Sequence, residues 1–303
     1  MSRILGFLFS IFLLLSLSQG CSVLSESQLS SIEALTIKSD SISSAPSAIF
    51  KSLNHLRYRR GLFYAASLTA PQNRIDELDA LAKANIENEK RAAKADTYVN
   101  VLNSYIRAVG SLASDDRSKN IGREIRGIGN NIDSIIISYN ILIDDNLPEG
   151  IAKLGGKSLG MIAENITKGK QYKFLKEFMM TGDSLVACCC DTLIALLRSE
   201  SMNSLIENEK SGLENNFKAY LTEMERIGQV PAMECYSEYL ILRQKSLCIN
   251  DLRNASVRAL RSFKNAHHKI VEQLDCKQEI DLTEDLLELT KLIYDICLAV
   301  KKI

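Results

Sequence analysis

The stretch LTEDLLELTKLIYDICLAVKKI, residues 282–303, places its apolar side chains at helical spacing. These positions are separated alternately by four and three residues, at Leu282, Leu286, Leu289, Ile293, Ile296, Val300 and Ile303. Because residues three and four apart share one face of an α-helix, the stretch predicts an amphipathic helix with a heptad seam. Asp281 or Thr283 is the predicted N-cap, and the acidic residues that follow suit the positive end of the helix dipole.

The same spacing recurs across residues 116–145. There it runs through Ile121, Ile125, Ile128, Ile132, Ile135, Tyr139 and Leu142. Long helices are also predicted at 72–112, 183–228 and 231–275, with Pro71 in the first turn of the first helix. The polar stretch 199–212 is expected to break the helix at 183–228 into two, with Gly212 as the hinge.

The apolar stripes of these helices predict which side chains face the core. They are Val99, Leu102, Ile106 and Val109; Leu213, Phe217, Tyr220, Met224 and Ile227; and Val257, Leu260, Phe263, His267, Ile270 and Leu274. Residues 149–180 are also predicted to be helical, although four glycines interrupt them. In residues 48–68, Ile49, Leu53, Leu56 and Phe63 fit a helix, while Arg60-Gly61 would also suit the turn of a short hairpin.

These elements predict an all-α fold. A helix of about 40 residues is about 60 Å long, and such helices joined by tight turns lie antiparallel. We therefore expect an elongated up-and-down antiparallel bundle of about six to seven helices, forming one domain across residues 48–303.

Composition excludes several classes of protein. The 303 residues include 37 Lys and Arg against 37 Asp and Glu, so the chain lacks the cationic excess of a bulk nucleic-acid binder. Only four prolines are present, which disfavours an all-β protein with many turns. An apolar content of 46% rules out wholesale disorder.

Residues 1–20 are predicted to be a signal peptide. Arg3 is followed by an uncharged apolar run at 4–17, which has the length of a signal-peptide core and is short for a bilayer span. Small residues at Ser18 and Gly20 satisfy the rule for leader cleavage before Cys21.

The same segment resembles the lipobox of bacterial lipoproteins, whose pattern is Leu-small-small-Cys. Gly20 and Cys21 match it, whereas Leu17 lies one place too early. The resemblance implies that Cys21 is the lipidated first residue of the mature chain, and that Ser22 directs the protein to the outer membrane. A secreted protein without a lipid anchor is the alternative.

Residues 21–47 follow as a Ser-rich segment with little apolar periodicity. Such a segment buries too little surface to offset its ordering entropy. We therefore expect a solvated tether that ends at Pro46.

No catalytic, cofactor or metal site is predicted. The glycine-rich stretch 150–158 has five residues between its first Gly and Gly-Lys-Ser, where a nucleotide-binding loop needs four. His55, His267 and His268 lack the Glu-x-x-His spacing of di-iron bundles. His267 falls on an apolar stripe, so we expect a core or rim histidine with a satisfied hydrogen bond.

Seven cysteines remain besides Cys21: Cys188, Cys189, Cys190, Cys235, Cys248, Cys276 and Cys297. They lack Cys-x-x-Cys spacing, and three of them lie in an apolar helical run. Mostly buried thiols are expected rather than a disulfide framework.

Two surface features leave alternatives open. The basic stretch 55–60 is expected to be a solvated helix face, with contact to lipid head groups or an acidic partner as the alternative. Residues 184–197 are expected to be bundle core, with insertion into a target membrane as the alternative.

The order of features in the chain resembles that of uncharacterised all-helical lipoproteins of Gram-negative bacteria. These features are the leader, Cys21, the Ser-rich segment and the long helices. The resemblance implies a non-enzymatic protein anchored in the cell envelope through Cys21, which binds or spaces an envelope protein partner without nucleic acid or nucleotide. A pore-forming effector is the first alternative, and an enzyme ranks last.

Overall fold

The computed structural model of the protein describes residues 24–39, 42, 45–114, 168–275 and 282–302. Within these ranges the regular secondary structure is entirely helical, which confirms the predicted all-α bundle. The helices are α1 (Glu26–Ser39), α2 (Ala45–Ser67), α3 (Pro71–Ala113), α4 (Lys168–Arg198), α5 (Glu200–Arg226), α6 (Met233–Asp275) and α7 (Thr283–Val300). The predicted seam at 116–145 lies outside the described residues.

The predicted stripes face the core in most helices. All four predicted positions of α3 and all six of α6 are buried, as are Leu289 and Ile296 of α7. The stripe of α5 is buried at Leu213 and Phe217 and half-buried at Tyr220 and Met224, while Ile227 lies past the helix end and is exposed. Leu282 is the N-cap of α7 and makes no side-chain capping bond, so the prediction of Thr283 was wrong, while Asp281 lies outside the described residues.

The long helix predicted at 183–228 is divided within the predicted stretch 199–212, but at Ser199 rather than at Gly212. The hydroxyl of Ser199 accepts a hydrogen bond from Met202 N at 3.2 Å and so caps α5. Gly212 instead lies inside α5, facing the Arg60 guanidinium. Ser199 favours a helix start because its hydroxyl accepts a hydrogen bond from a backbone N–H that has no partner within the helix. Gly212 has no side chain that could do this.

Helix α2 continues through Arg60-Gly61, so the hairpin alternative was wrong. The side chain of Leu81 lies directly against Gly61. Because Gly61 has no β-carbon, α2 can pack closely on α3 at this position. The glycine does not form a turn.

Helices α4 and α5 run antiparallel to α6 along its length. Asp183 pairs with His267, Asp191 with Lys264, Asn203 with Arg253, and Tyr220 with Cys235. In these pairs the residue numbers of α6 decrease as those of α4 and α5 increase. Helices α4 and α5 therefore lie end to end beside the longer α6. At about 1.5 Å per residue, the 43 residues of α6 span about 65 Å.

The bundle has two tiers along this axis. In one tier α2 packs against α3, α5 and the first half of α6. In the other, α1, α4 and α7 pack against the last parts of α3 and α6. Buried side chains of both tiers form one continuous hydrophobic core.

Helix α1 corrects the predicted tether at 21–47. Ile32 and Leu35 are buried, and Leu24 before the helix is buried as well. Ser25 Oγ accepts from Gln28 N at 3.2 Å, while Gln28 Oε1 accepts from Ser25 N at 2.9 Å. This reciprocal capping box fixes the helix start, and the buried aliphatic side chains offset the ordering entropy that the serines alone would not.

Candidate functional site

A groove opens where α4 ends and α5 begins. Its volume is about 800 Å³, and it lies against the middle of α6, between the α4–α5 junction and the last turn of α7. Ala255 and Val257 are buried beneath it. The break at Ser199 thus leaves a concave surface beside the long helix.

Basic side chains dominate the lining of this groove, which we term the cationic groove. The charged residues are Arg198, Arg253, Arg258, Arg261 and Lys302, with Asp251 and Asp295. Arg253 donates a hydrogen bond to Asn203 Oδ1 across the α5–α6 contact. This arrangement can bind an anion, because guanidinium groups offer several N–H donors in a fixed plane.

A second polar cluster joins α4 to α6. Asp183 Oδ1 lies 3.0 Å from Nδ1 of His267, and Oδ2 lies 2.7 Å from Nδ1 of His268. The Nε2 atom of His267 lies 2.8 Å from the hydroxyl of Tyr105 on α3. The sequence prediction of a buried, hydrogen-bonded His267 is confirmed, since its side chain is 1% exposed.

His267 joins the carboxylate of Asp183, through Nδ1, to the hydroxyl of Tyr105, through Nε2. The hydrogen bond from His267 lowers the pKa of Asp183, and the bond from His268 does the same. In turn, the hydrogen bond with Asp183 and its negative charge raise the pKa of His268.

The inner end of this cluster is closed by aromatic rings. The Tyr105 ring stacks on Phe178 at a centroid distance of 5.2 Å, and burial raises the pKa of Tyr105 well above 10. A tyrosine held protonated inside the core does not act as a nucleophile or base towards a substrate. The cluster therefore positions α3, α4 and α6 against one another.

The arginines of the basic stretch 55–60 are half-buried and paired within the protein, which corrects the predicted solvated face for these side chains, while His55 and Tyr58 are exposed. Glu209 of α5 is fully buried, and Arg57 Nε lies 2.9 Å from its Oε1. Arg60 Nε donates to the other oxygen of Glu209. Arg59 Nε donates to Glu238 on α6 at 2.6 Å, so three arginines of α2 are paired within the protein.

The described cysteines carry free thiols. Cys189 and Cys190 are buried, and burial raises the pKa of both thiols, as it does for half-buried Cys188. Thiols kept protonated in this way are poor nucleophiles and poor metal ligands.

Two further sequence predictions concern the lipidation site and the metal ligands. Cys21, the predicted lipidation site, lies outside the described residues. Within the described ranges, no group of three or more His, Cys, Asp and Glu side chains is placed to hold a metal ion.

One described segment, Gln171–Arg198 of α4, is long and apolar enough to cross a membrane by length and composition. Its exposed side carries Lys173, Glu177 and Asp191, while Leu185, Val186 and Leu193 face the core. That division is also typical of an amphipathic helix in a soluble bundle.

Comparison with known proteins gave no matching family model, no matching curated protein and no matching solved structure.

Sequence reasoning missed the cationic groove and the Asp183 and Glu209 clusters. Asp183 stands in an apolar run and Glu209 in a polar one, and neither position reveals a partner more than 80 residues away. The one local signal was the pair Arg258 and Arg261, which lie one turn apart on α6.

Proposed function

We propose that the protein is an exported, lipid-anchored helical protein of the cell envelope with a non-enzymatic binding or spacing role. Lipidation at Cys21 attaches it to the membrane, and Ser22 favours the outer membrane, with the bundle facing the periplasm or the surface. The observation that carries the proposal is the leader-like sequence of residues 1–20 directly before Cys21. The burial of Leu24, three residues after Cys21, bears on where such an anchor would hold the bundle.

An anchor so close to Leu24 holds one particular end of the bundle at the membrane. Three residues reach at most about 10 Å. Beyond Leu24, Gln28 Nε2 donates to Gln273 O at 2.9 Å, which places the first turn of α1 beside the last turns of α6. We term this the anchor end of the bundle.

The opposite end, here the tip, contains the α2–α3 and α5–α6 turns. The rings of Phe63, near the end of α2, and Tyr220, near the end of α5, have centroids 5.7 Å apart, so the two turns lie at the same end of the bundle. Gly228 supplies the positive φ of 68° that the second turn needs.

Apolar side chains are exposed at the tip. Val230 is 86% exposed and Met233 75% exposed, with Ile75 and Ile227 nearby along the same turns. A spacer that holds such a surface away from the membrane would present it to an envelope protein partner.

Metabolic labelling with radioactive palmitate tests the anchor. The wild-type protein is expected to incorporate label and to sediment with membranes, and Cys21→Ala is expected to lose both properties. Cys235→Ala is the matched control and should retain both. Absence of label in the wild type, with the protein in the soluble fraction, would favour the secreted alternative; label that persists in Cys21→Ala would contradict the proposal.

A membrane-active effector is the second candidate, favoured by the apolar segment of α4. It requires α4 to leave the core, where Leu185 and Leu193 are buried. Dye release from liposomes separates the two functions. We expect that the purified protein releases no dye. Dye release at nanomolar protein concentration would favour the membrane-active effector over the anchored spacer as the function.

A further inference from the structure

We propose that the cationic groove binds a small anion that carries phosphate groups. The groove is formed by the α4–α5 junction, the middle of α6 and the last turn of α7. This site does not depend on the lipid anchor, so its test is independent of the anchor's test.

The charges in the groove are out of balance. Five cations against Asp251 and Asp295 leave a net charge of plus three around one cavity. Like charges held together repel one another, and the repulsion grows where part of the surrounding water is displaced. An anion in the groove removes that repulsion.

The groove gathers several arginines that have no carboxylate partner in the described part of the chain. Some basic side chains elsewhere are paired, as for Arg59 with Glu238 and Lys269 with Asp285. Among the described residues, no carboxylate lies within ion-pair distance of Arg198, Arg258 or Arg261. Three arginines that are unpaired within the described ranges surround one cavity and form a site suited to an external anion.

The groove is also shaped for a ligand. Its volume of about 800 Å³ lies within the range of small-molecule sites. Arg258 and Arg261 project from successive turns of α6, while Asn203 orients Arg253 from the opposite wall. The long helix α6 fixes the backbone positions from which these side chains extend.

Phosphate matches this chemistry in geometry and charge. The planar guanidinium group binds two phosphate oxygens at once. A phosphomonoester carries about −1.5 to −2 charges near neutral pH, so two phosphate groups balance the net charge of the groove.

The phosphate can belong to a soluble compound or to a lipid head group. Asn254 in the groove lies about 30 Å from the end of α6 at Asp275, at 1.5 Å per residue. That separation from the anchor end favours a soluble phosphorylated compound.

Isothermal titration calorimetry with pyrophosphate tests the proposal. The full chain is purified in a non-ionic detergent and titrated at low salt. Wild type is expected to show saturable binding that weakens as salt is added. The double variant Arg258→Gln/Arg261→Gln should bind about a hundredfold more weakly, because each of the two charged hydrogen bonds contributes about one factor of ten.

The double variant Arg107→Gln/Arg243→Gln is the matched control. It removes the same charge from exposed positions outside the groove and should bind within about twofold of wild type. Thermal unfolding of both variants checks that they are folded. Absence of saturable binding in wild type, or equal weakening in both double variants, would overturn the proposal unless the lipid arm below gives groove-dependent binding.

Vesicles of phosphatidylcholine with phosphatidylglycerol form the second arm. If they bind only through the intact groove while pyrophosphate does not, the phosphate comes from a head group. If pyrophosphate alone binds, the ligand is soluble. Failure in both arms excludes the site.

Discussion

Glu209 is a fully buried carboxylate that holds two arginines of α2 against α5. The side chains of Arg57 and Arg60 reach it from successive turns, and Asn216 donates to Arg60 O at 3.1 Å. Removing one member of a buried ionic cluster leaves uncompensated charge, which costs more than the cluster itself contributes. The contact is therefore sensitive to a change at its centre.

Glu209→Gln is expected to lower the free energy of unfolding by about 3 kcal/mol, because the two guanidinium groups lose their counter-charge. Urea denaturation followed by circular dichroism measures the loss. Glu207→Gln is the control, since its exposed pair with Lys210 should contribute less than about 0.5 kcal/mol. Equal stability of the two variants would contradict this role of Glu209.

Gly182 allows the ring of Tyr105 to lie against the backbone of α4. A β-carbon built at Gly182 collides with three atoms of that ring. Because Phe178 and His267 confine the ring, Gly182→Ala is expected to cost about 1–3 kcal/mol by overpacking. Urea denaturation again gives the measurement.

Gly110→Ala is the matched control for this glycine. Its new β-carbon would meet Thr36 at 3.5 Å, an ordinary contact. Alanine is then expected to stabilise helix α3 by about 0.5–1 kcal/mol through helix propensity. A loss of stability at Gly110 equal to that at Gly182 would show that the collision with Tyr105 is not the cause.

At the scale of helices, local sequence predicted those elements whose pattern is complete within the element. The stripes of α3 and α6 repeat over several turns, so their buried faces could be assigned from spacing alone. Helix α1 was missed because its serines suggested a tether. The Ser-x-x-Gln capping box at Ser25 and Gln28 was present in the sequence and would have indicated the helix start.

Contact between α4 and α6 depends on pH through Asp183 and His268. The pKa of Asp183 is lowered from its ordinary value of 3.8, so its stabilisation is present above that pH and is lost as pH falls through the folded pKa. The pKa of His268 is raised from 6.5, so its stabilisation is complete below 6.5 and is lost as pH rises through the folded pKa. Both contributions are therefore complete between about pH 4 and 6.5.

His268→Gln is expected to lower the melting temperature most between pH 4 and 6.5, with a smaller difference from wild type at pH 8 and above. Differential scanning fluorimetry across that range measures the difference. The effect is modest because the side chain of His268 is 57% exposed to solvent and its charge is screened. A difference that stays constant from pH 5 to pH 9 would show that the Asp183 pair does not titrate as described.

Asn265→Gln, at another exposed position of α6, controls for an exposed polar change that leaves the charge intact. Its melting temperature should follow that of wild type at every pH.

For the whole molecule, the sequence predicted an elongated antiparallel bundle but neither its two tiers nor its polar contacts. Register between distant helices depends on pairs such as Arg57 with Glu209 and Asp183 with His267, separated by 152 and 84 residues. Local periodicity contains no information on such pairs. The cationic groove was missed for the same reason, since its walls come from four helices and the net charge of the chain is zero.

An anchored spacer requires that the tip stand away from the membrane. The α6 residues Met233 and Gln273 are separated by 40 positions, or about 60 Å at 1.5 Å per residue. Energy transfer from a fluorescent amino acid to an acceptor lipid measures this height directly. The two labelling positions are exposed Glu284 near the anchor end and exposed Gln229 at the tip.

In vesicles that carry the lipidated protein, transfer from Glu284 is expected to be strong and transfer from Gln229 several-fold weaker, because transfer falls steeply over the length of α6. Cys21→Ala should abolish transfer from both positions. Equal transfer from the two positions in the lipidated protein would show that the bundle lies flat on the bilayer and would contradict the spacer role.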